Sequence, residues 1–163
     1  FQQPDFPEFV SGVLKETGLH PGLLEIDVAE HTVMQKAGHT MENLAQLADM
    51  GVHTSIDNFG SGCSALGQLK KLPIRKLKID RSLVQGADLD TDGQIILEST
   101  IEMGHIMGLL VTTEGVETQA EFDLVKKLGA DYVQGFWLSK PMPFDEFKLK
   151  HLVGNHDQLV QHL

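Results

Sequence analysis

The stretch SIDNFGSGCSAL, residues 55–66, decides the fold. A short apolar run ends in an acid, Asp57, followed by the uncharged Asn58. Two glycines, Gly60 and Gly62, then make a turn, and SALGQLKKL (64–72) has the pattern of a short helix. That helix stops before Pro73, because a proline drives the residue ahead of it out of helical backbone. IRKLKID (74–80) resumes as a strand. Strand, glycine turn, helix and strand again is the order of a parallel β-α-β unit.

The alternation continues in both directions. Upstream, VHTSID (52–57) and LLEIDV (23–28) read as strands. TVMQKAGHTMENLAQLADMG (32–51) reads as helical in its second half, with Gly51 as its C-terminal cap. FPEFVSGVLKETG (6–18) places Phe6, Phe9, Val10, Val13 and Leu14 at helical spacing and stops at Gly18. Downstream, GQIILESTIEMGHIMG (93–108) predicts a helix with Ile95, Ile96, Ile101 and Met103 available to an apolar face. LLVTT (109–113) is a fourth strand. TQAEFDLVKKLG (118–129) opens with Thr118 and Glu121 at capping-box spacing and ends at Gly129. DYVQGFW (131–137) is a fifth strand, FDEFKLKHLV (144–153) a last helix, and residues 152–163 a polar tail. The fold class is α/β with a parallel sheet. The chain of 163 residues forms one domain, 1–163, without internal repeat or linker.

Polar residues recur at one end of these strands: Asp27, Asp57, Lys78 with Asp80, Glu114 and Gln134. In a parallel α/β sheet these C-terminal ends share one edge, and in a barrel they converge on one mouth, where the chemistry sits. One such acid is ordinarily a turn or cap residue; five consecutive strands with polar ends form a constellation. The glycine turn admits two readings. GSGCSA (60–65) fits a G-x-G-x-x-A dinucleotide fingerprint with Asp80 at the end of the next strand. However, Asp57 would put negative charge beside the expected pyrophosphate. A strand that ends in an acid and turns on glycines suits a hard cation held by carboxylate and carbonyl oxygens, and paired magnesium ions are a common device of phosphoryl chemistry. The bland alternative is a tight turn whose serines, Ser61 and Ser64, cap the helix.

Bulk properties narrow the classes further. Hydrophobic residues are 41% and charged residues 22%, and the formal charge is −10. That charge argues against a general nucleic-acid binder, which needs a basic stripe. The single cysteine, Cys63, excludes an internal disulfide and fits a reducing compartment. No apolar run approaches the roughly 20 residues of a membrane span. The expected location is cytoplasmic, with a parent protein that membrane tethering would still suit. The eight histidines are scattered and suggest no metal cluster, and the serines show no spacing of a nucleophilic triad.

SIDNFGSGCSALGQLKKLPIRKLKIDRSLV (55–84) resembles the DDFGTGYSSL…LP…LKIDRSFV segment of EAL domains, the cyclic di-GMP phosphodiesterases. TTEGVET (112–118) resembles their AEGVET, VQGFWLSKPMP (133–143) their QGYYLSKPMP, and LEIDVAEHTVM (24–34) their LELEITESVLM. The motifs follow the family's order and cover nearly the whole chain to Pro143. The resemblance implies a modified TIM barrel that cleaves cyclic di-GMP to linear pGpG with two Mg2+ or Mn2+ ions. It implies that Asp57 bridges metals, that Glu114 binds metal, and that Lys78 orients water and phosphate. Asp80 and Glu117 match acids near the metals, with Glu117 beside Lys78 in the catalytic set. Gln134 matches a glutamine of the pocket, and Gly60 and Ser61 fall on the ligand-facing turn. Glu30 matches the glutamate that anchors that turn, a loop linked to dimerisation.

The departures matter equally. The tripeptide that names the family, and its Asn-x-Ser strand, belong before Phe1, so the resemblance implies that the first three barrel strands are absent. A partial barrel of about five parallel strands with outer helices is expected, open on one side. Self-association as a homo-oligomer, or contact with the missing N-terminal half, would cover it. A GGDEF-type or sensory domain is a possible upstream neighbour. Asp27 stands where the family has a metal-binding glutamate, one methylene longer, and Asn58 stands on the second aspartate of the pair, weakening that ligand. The expectation is a cyclic di-GMP signalling domain degenerate at its metal centre, acting by nucleotide binding or protein interaction, with this chain alone inactive. The alternatives are an active Mg/Mn-dependent phosphodiesterase completed by its N-terminal half, and a dimerising structural remnant.

Overall fold

The computed structural model describes residues 3–34, 39–61 and 69–152. Five strands, β1 (Glu25–Ala29), β2 (His53–Phe59), β3 (Lys76–Ile79), β4 (Leu110–Glu114) and β5 (Tyr132–Gln134), form one sheet in sequence order. Every neighbouring pair is parallel. Register aligns Asp27 with Ser55, Ser55 with Lys76, and Lys78 with Thr112. Between Ile56 and Phe59 the β2–β3 register shifts, so the chain bends where Asp57 and Asn58 sit. Asn58 has a left-handed backbone (φ 57°), a conformation that asparagine tolerates better than other non-glycine residues.

The helices follow their sequence signals. Helix α1 (Phe6–Thr17) ends at Gly18, whose left-handed backbone lets its N–H reach Leu14 O at 2.9 Å. Val10 and Leu14 are buried, whereas Phe9 and Val13 of the expected apolar face are exposed. The short α2 (Glu30–Met34) leaves β1 directly, α3 (Thr40–Asp49) follows, and α4 (Arg81–Val84) leaves β3. In α5 (Thr91–Ile106) the inward residues are Leu97, Ile101 and Gly104, while Ile95 and Ile96 face outward, half exposed. The reason is at Gly104, where an added Cβ would lie 2.6 Å from Val111 Cγ2. The helix meets the sheet there, and that contact fixes which face turns in. Helix α6 (Gln119–Lys127) has both halves of the expected capping box, Thr118 and Glu121. The last segment divides into α7 (Phe144–Phe147) and a π-helical turn, Lys148–Leu152. Most of the expected helix over 64–72, with Gly62, Cys63 and Ser64, and all but the first residue of the polar tail lie outside the described residues.

The strands alternate. Outward residues such as Val28, Ile56, Leu77, Ile79 and Val111 are buried beneath the helices, each contributing about 1.5–3 kcal/mol. They divide into two clusters that meet at β3. Leu77 packs with Val28, Val33, Leu44 and Ile56, and Ile79 packs with Val84, Leu97, Ile101 and Val111. The opposite face of the sheet is polar. It lines a cavity of about 430 Å3 with Glu25, Asp27, Lys76, Lys78, Thr112 and Gln134 among its walls.

Candidate functional site

Lys78 is the centre of the polar face. Its position on β3 puts it between β2 and β4, and its Nζ lies 2.7 Å from Glu114 Oε1, 2.8 Å from Asp27 Oδ2 and 3.4 Å from Asp57 Oδ1. Its side chain is 12% exposed. Burial alone would pull the ammonium's pKa down. The hydrogen bonds and charges of Asp27 and Glu114 outweigh it and hold the pKa above the ordinary lysine value. Asp27 shows the mirror effect. Burial pushes its carboxyl upward, but hydrogen bonds from Lys78 and Ser55, with the charges of Lys78 and Lys76, bring it below its usual value. Ser55 Oγ donates to Asp27 Oδ1. The charged forms of both groups are therefore the resting ones.

Asp57 has a second partner: Asn58 Nδ2 donates to its Oδ2 at 2.8 Å. Asn58 thus offers Asp57 a donor and no carboxylate of its own. The turn that follows is tied down twice. Gly60 N–H donates to Glu30 Oε2 at 3.1 Å, and Ser61 Oγ donates to Asn58 O at 2.8 Å.

Asp80 and Glu117 make other contacts. Asp80 caps α4, its Oδ1 accepting from Ser82 N–H at 2.9 Å. Glu117 Oε1 accepts from Gln85 Nε2 at 3.3 Å. Gln134 ends β5 in the cavity wall, and its carbonyl accepts from Val116 N–H at 3.2 Å. The structure thus brings Asp27, Asp57, Lys78 and Glu114 together, places Gln134 in the same cavity wall as Asp27 and Lys78, and gives Asp80 and Glu117 to the surrounding loops.

Three features were not read from the sequence. Ser55 orients Asp27, and its signal was the period-two spacing from Asp57. Lys76 forms a second layer below Lys78, 2.7 Å from Glu25 Oε2 and 4.7 Å above the Tyr132 ring. The third is the wider reach of Glu121, buried, which beyond the expected capping-box bond from Thr118 N–H (3.0 Å) accepts from Glu117 N–H (2.8 Å) and Gly86 N–H (3.3 Å). It joins the loop after β4 to the loop after α4. Among the described residues no group of three or more His, Cys, Asp or Glu side chains is placed to hold a metal ion. None of the described helices is long and apolar enough to cross a membrane.

Comparison with known proteins identifies the family of this fold. The chain is 37% identical over 148 residues to the signaling protein YkoW of Bacillus subtilis, covering 91% of this chain and 18% of YkoW. It is also 37% identical over 146 residues to the bifunctional diguanylate cyclase/cyclic di-GMP phosphodiesterase MucR of Pseudomonas aeruginosa, covering 90% of this chain and 21% of MucR. The chain therefore spans about a fifth of the length of these curated relatives. Among solved structures, the PaMucR phosphodiesterase in its c-di-GMP complex superposes with a TM-score of 0.84 at 36% identity, over 89% of this chain and 59% of that one. The EAL domain of Mycobacterium smegmatis DcpA superposes with a TM-score of 0.87 at 35% identity, over 94% and 68%. The family model described as EAL domain matches residues 1–141. The chain belongs to the EAL domain family.

Proposed function

We propose that this chain contributes the nucleotide-facing half of a cyclic di-GMP signalling domain whose metal centre is degenerate, acting by nucleotide binding or protein interaction. The observation that supports it best is the pair Asp57–Asn58. Where two carboxylates would flank the metals, Asn58 donates an N–H to Asp57.

The residues as arranged do not fit the metal pair of EAL phosphodiesterases. The three converging carboxylates face the Lys78 ammonium at 2.7–3.4 Å, whereas magnesium needs oxygen ligands at about 2.0–2.1 Å. Two cations about 4 Å apart also need more negative charge than an amide supplies. Nucleotide binding has a different requirement. A phosphate can be positioned by the Lys78 charge without both ions, with Gln134 as a polar contact in the same cavity wall, while the Gly60 and Ser61 amides hold the neighbouring turn through Glu30 Oε2 and Asn58 O. The c-di-GMP complex of PaMucR supports this choice of ligand. The Glu30–Gly60 tie would link that turn to self-association.

A second reading, an active phosphodiesterase, is favoured by the retention of Asp57, Glu114 and Lys78 together. The experiment is equilibrium binding and hydrolysis of cyclic di-GMP with and without Mg2+ or Mn2+, in a longer polypeptide that includes this chain. Affinity should change little with metal, and turnover should be slow. The double change Asn58→Asp with Asp27→Glu should raise hydrolysis while affinity stays near its starting value. If the unaltered protein already turns over as fast as the double variant, the active-enzyme reading replaces this one.

A further inference from the structure

We propose that Ser55 is a positioning residue of this site: it holds Asp27 in place across β2 and, through Asp27, fixes where the Lys78 ammonium sits. The proposal deepens the reading of the same site and rests on it for the nucleotide.

The strand register sets the problem. Asp27 pairs with Ser55, and Ser55 with Lys76, so β2 lies between the strands that carry Asp27 and Lys78. Two strand spacings separate those backbones by roughly 10 Å, yet Asp27 Oδ2 reaches Lys78 Nζ at 2.8 Å. The ion pair therefore crosses the middle strand. The residue it crosses is Ser55, whose hydroxyl donates to the other carboxylate oxygen, Oδ1.

Ser55 is fully buried. A buried hydroxyl costs stability unless it is bonded, and Ser55 gives its one O–H to a carboxylate, a charge-assisted bond. A small side chain leaves room for Asp27 to lean over β2, and the hydroxyl catches the carboxylate midway. Asp27 depends on this hold, because its side chain is 43% exposed against 12% for Lys78, so water competes for its oxygens. With one oxygen given to each partner, the carboxylate has a single orientation. The other contacts of Lys78 do not substitute for it. Glu114 holds the ammonium from the β4 side at 2.7 Å, while Asp57 stands off at 3.4 Å and accepts from Asn58 through its other oxygen. Without Asp27 the ammonium would swing towards Glu114.

The test reads acetylation of Lys78 and Lys76 by mass spectrometry in the 163-residue chain, without nucleotide. Lys76 is the internal control. It lies on the same face of β3, held by Glu25 at 2.7 Å and over the Tyr132 ring. Ser55→Ala should raise Lys78 labelling several-fold and leave Lys76 unchanged, and it should add nothing once Asp27→Ala is present. Unchanged labelling of Lys78, an equal rise at both lysines, or a further rise in the Asp27→Ala background overturns the proposal. If Ser55→Ala does not fold, Ser55→Cys, nearly the same size and a weak donor, replaces it under the same outcomes. In a longer polypeptide that includes this chain, Ser55→Ala should weaken cyclic di-GMP binding about fivefold, and undiminished affinity overturns the proposal. If the unaltered polypeptide binds no nucleotide, the nucleotide reading fails by itself and the labelling alone decides the role of Ser55.

Discussion

The amide of Gly60 donates to Glu30 Oε2 across 3.1 Å, joining the turn after β2 to the first residue of the helix after β1. Gly60 has a left-handed backbone at φ 94°, and a Cβ there would fall 2.4 Å from Leu83 Cδ1. Gly60→Ala should therefore destabilise the chain by about 1–2 kcal/mol from backbone strain alone, with the Leu83 contact adding to it. Glu30→Ala should loosen the same turn without that strain. Urea denaturation separates the two, because only Gly60→Ala should show the larger loss.

Gly135 presents a harder constraint. An added Cβ would lie 1.9 Å from Val116 O and 2.5 Å from Val116 N, and neither backbone atom is free to rotate away. The Val116 N–H bonds Gln134 O and the Trp137 N–H bonds Val116 O, so relief of the clash breaks the latch between the two loops. Gly135→Ala should cost about 3 kcal/mol, measured as a shift in the urea midpoint.

Glu121 predicts a pH dependence. Burial would raise its pKa, but bonds from the Glu117, Gly86 and Thr118 backbone outweigh that and hold it below the ordinary glutamate value of 4.5. A folded-state pKa below the unfolded one gives stability that is fully present above about 4.5. That stability is lost as the pH falls through the depressed folded value. Glu121→Gln should lower stability at neutral pH by about 1–3 kcal/mol and flatten the stability curve below 4.5. Denaturation midpoints between pH 7 and 3 check both effects.

Leu77 is fully buried on the central strand. Leu77→Ala should cost about 2–5 kcal/mol by chemical denaturation, well above any single change on the polar face.

Among the described residues, β1 and β5 each pair with one neighbour only, and Phe136, Trp137, Leu138 and Phe144 are exposed beyond β5. Unpaired strand edges and apolar side chains favour association. Sedimentation at rising concentration should show the chain self-associating, whereas a monomer throughout would rule this out.

Much of this architecture was legible beforehand. The alternation of strand and helix segments, the glycine stops and the capping box indicated five parallel strands in order, and the polar strand ends indicated the cluster of Asp27, Asp57, Lys78 and Glu114. The inward face of α5 was not legible. Ile95 and Ile96 look like core residues, but Gly104 sets the closest approach to Val111, and a helix's rotation depends on a contact with a distant strand. Asp80 shows the opposite difficulty. Its place at a strand end is the same as Asp57's, and only the direction of the following chain decides that it caps α4. Glu121 was read as half of a capping box, and its bond to Gly86 joins residues that sequence spacing does not connect.

The division of the apolar core at β3 has a kinetic meaning. Leu77 belongs to one cluster and Ile79 to the other, so one four-residue strand is shared by both halves. If either half opens by itself, β3 keeps the partners of the other. Its amides should then exchange with solvent hydrogen only through global unfolding, while those of α1 and α6 exchange earlier through partial openings. The lysine at the heart of the polar face is thus mounted on the segment of the chain that is last to let go.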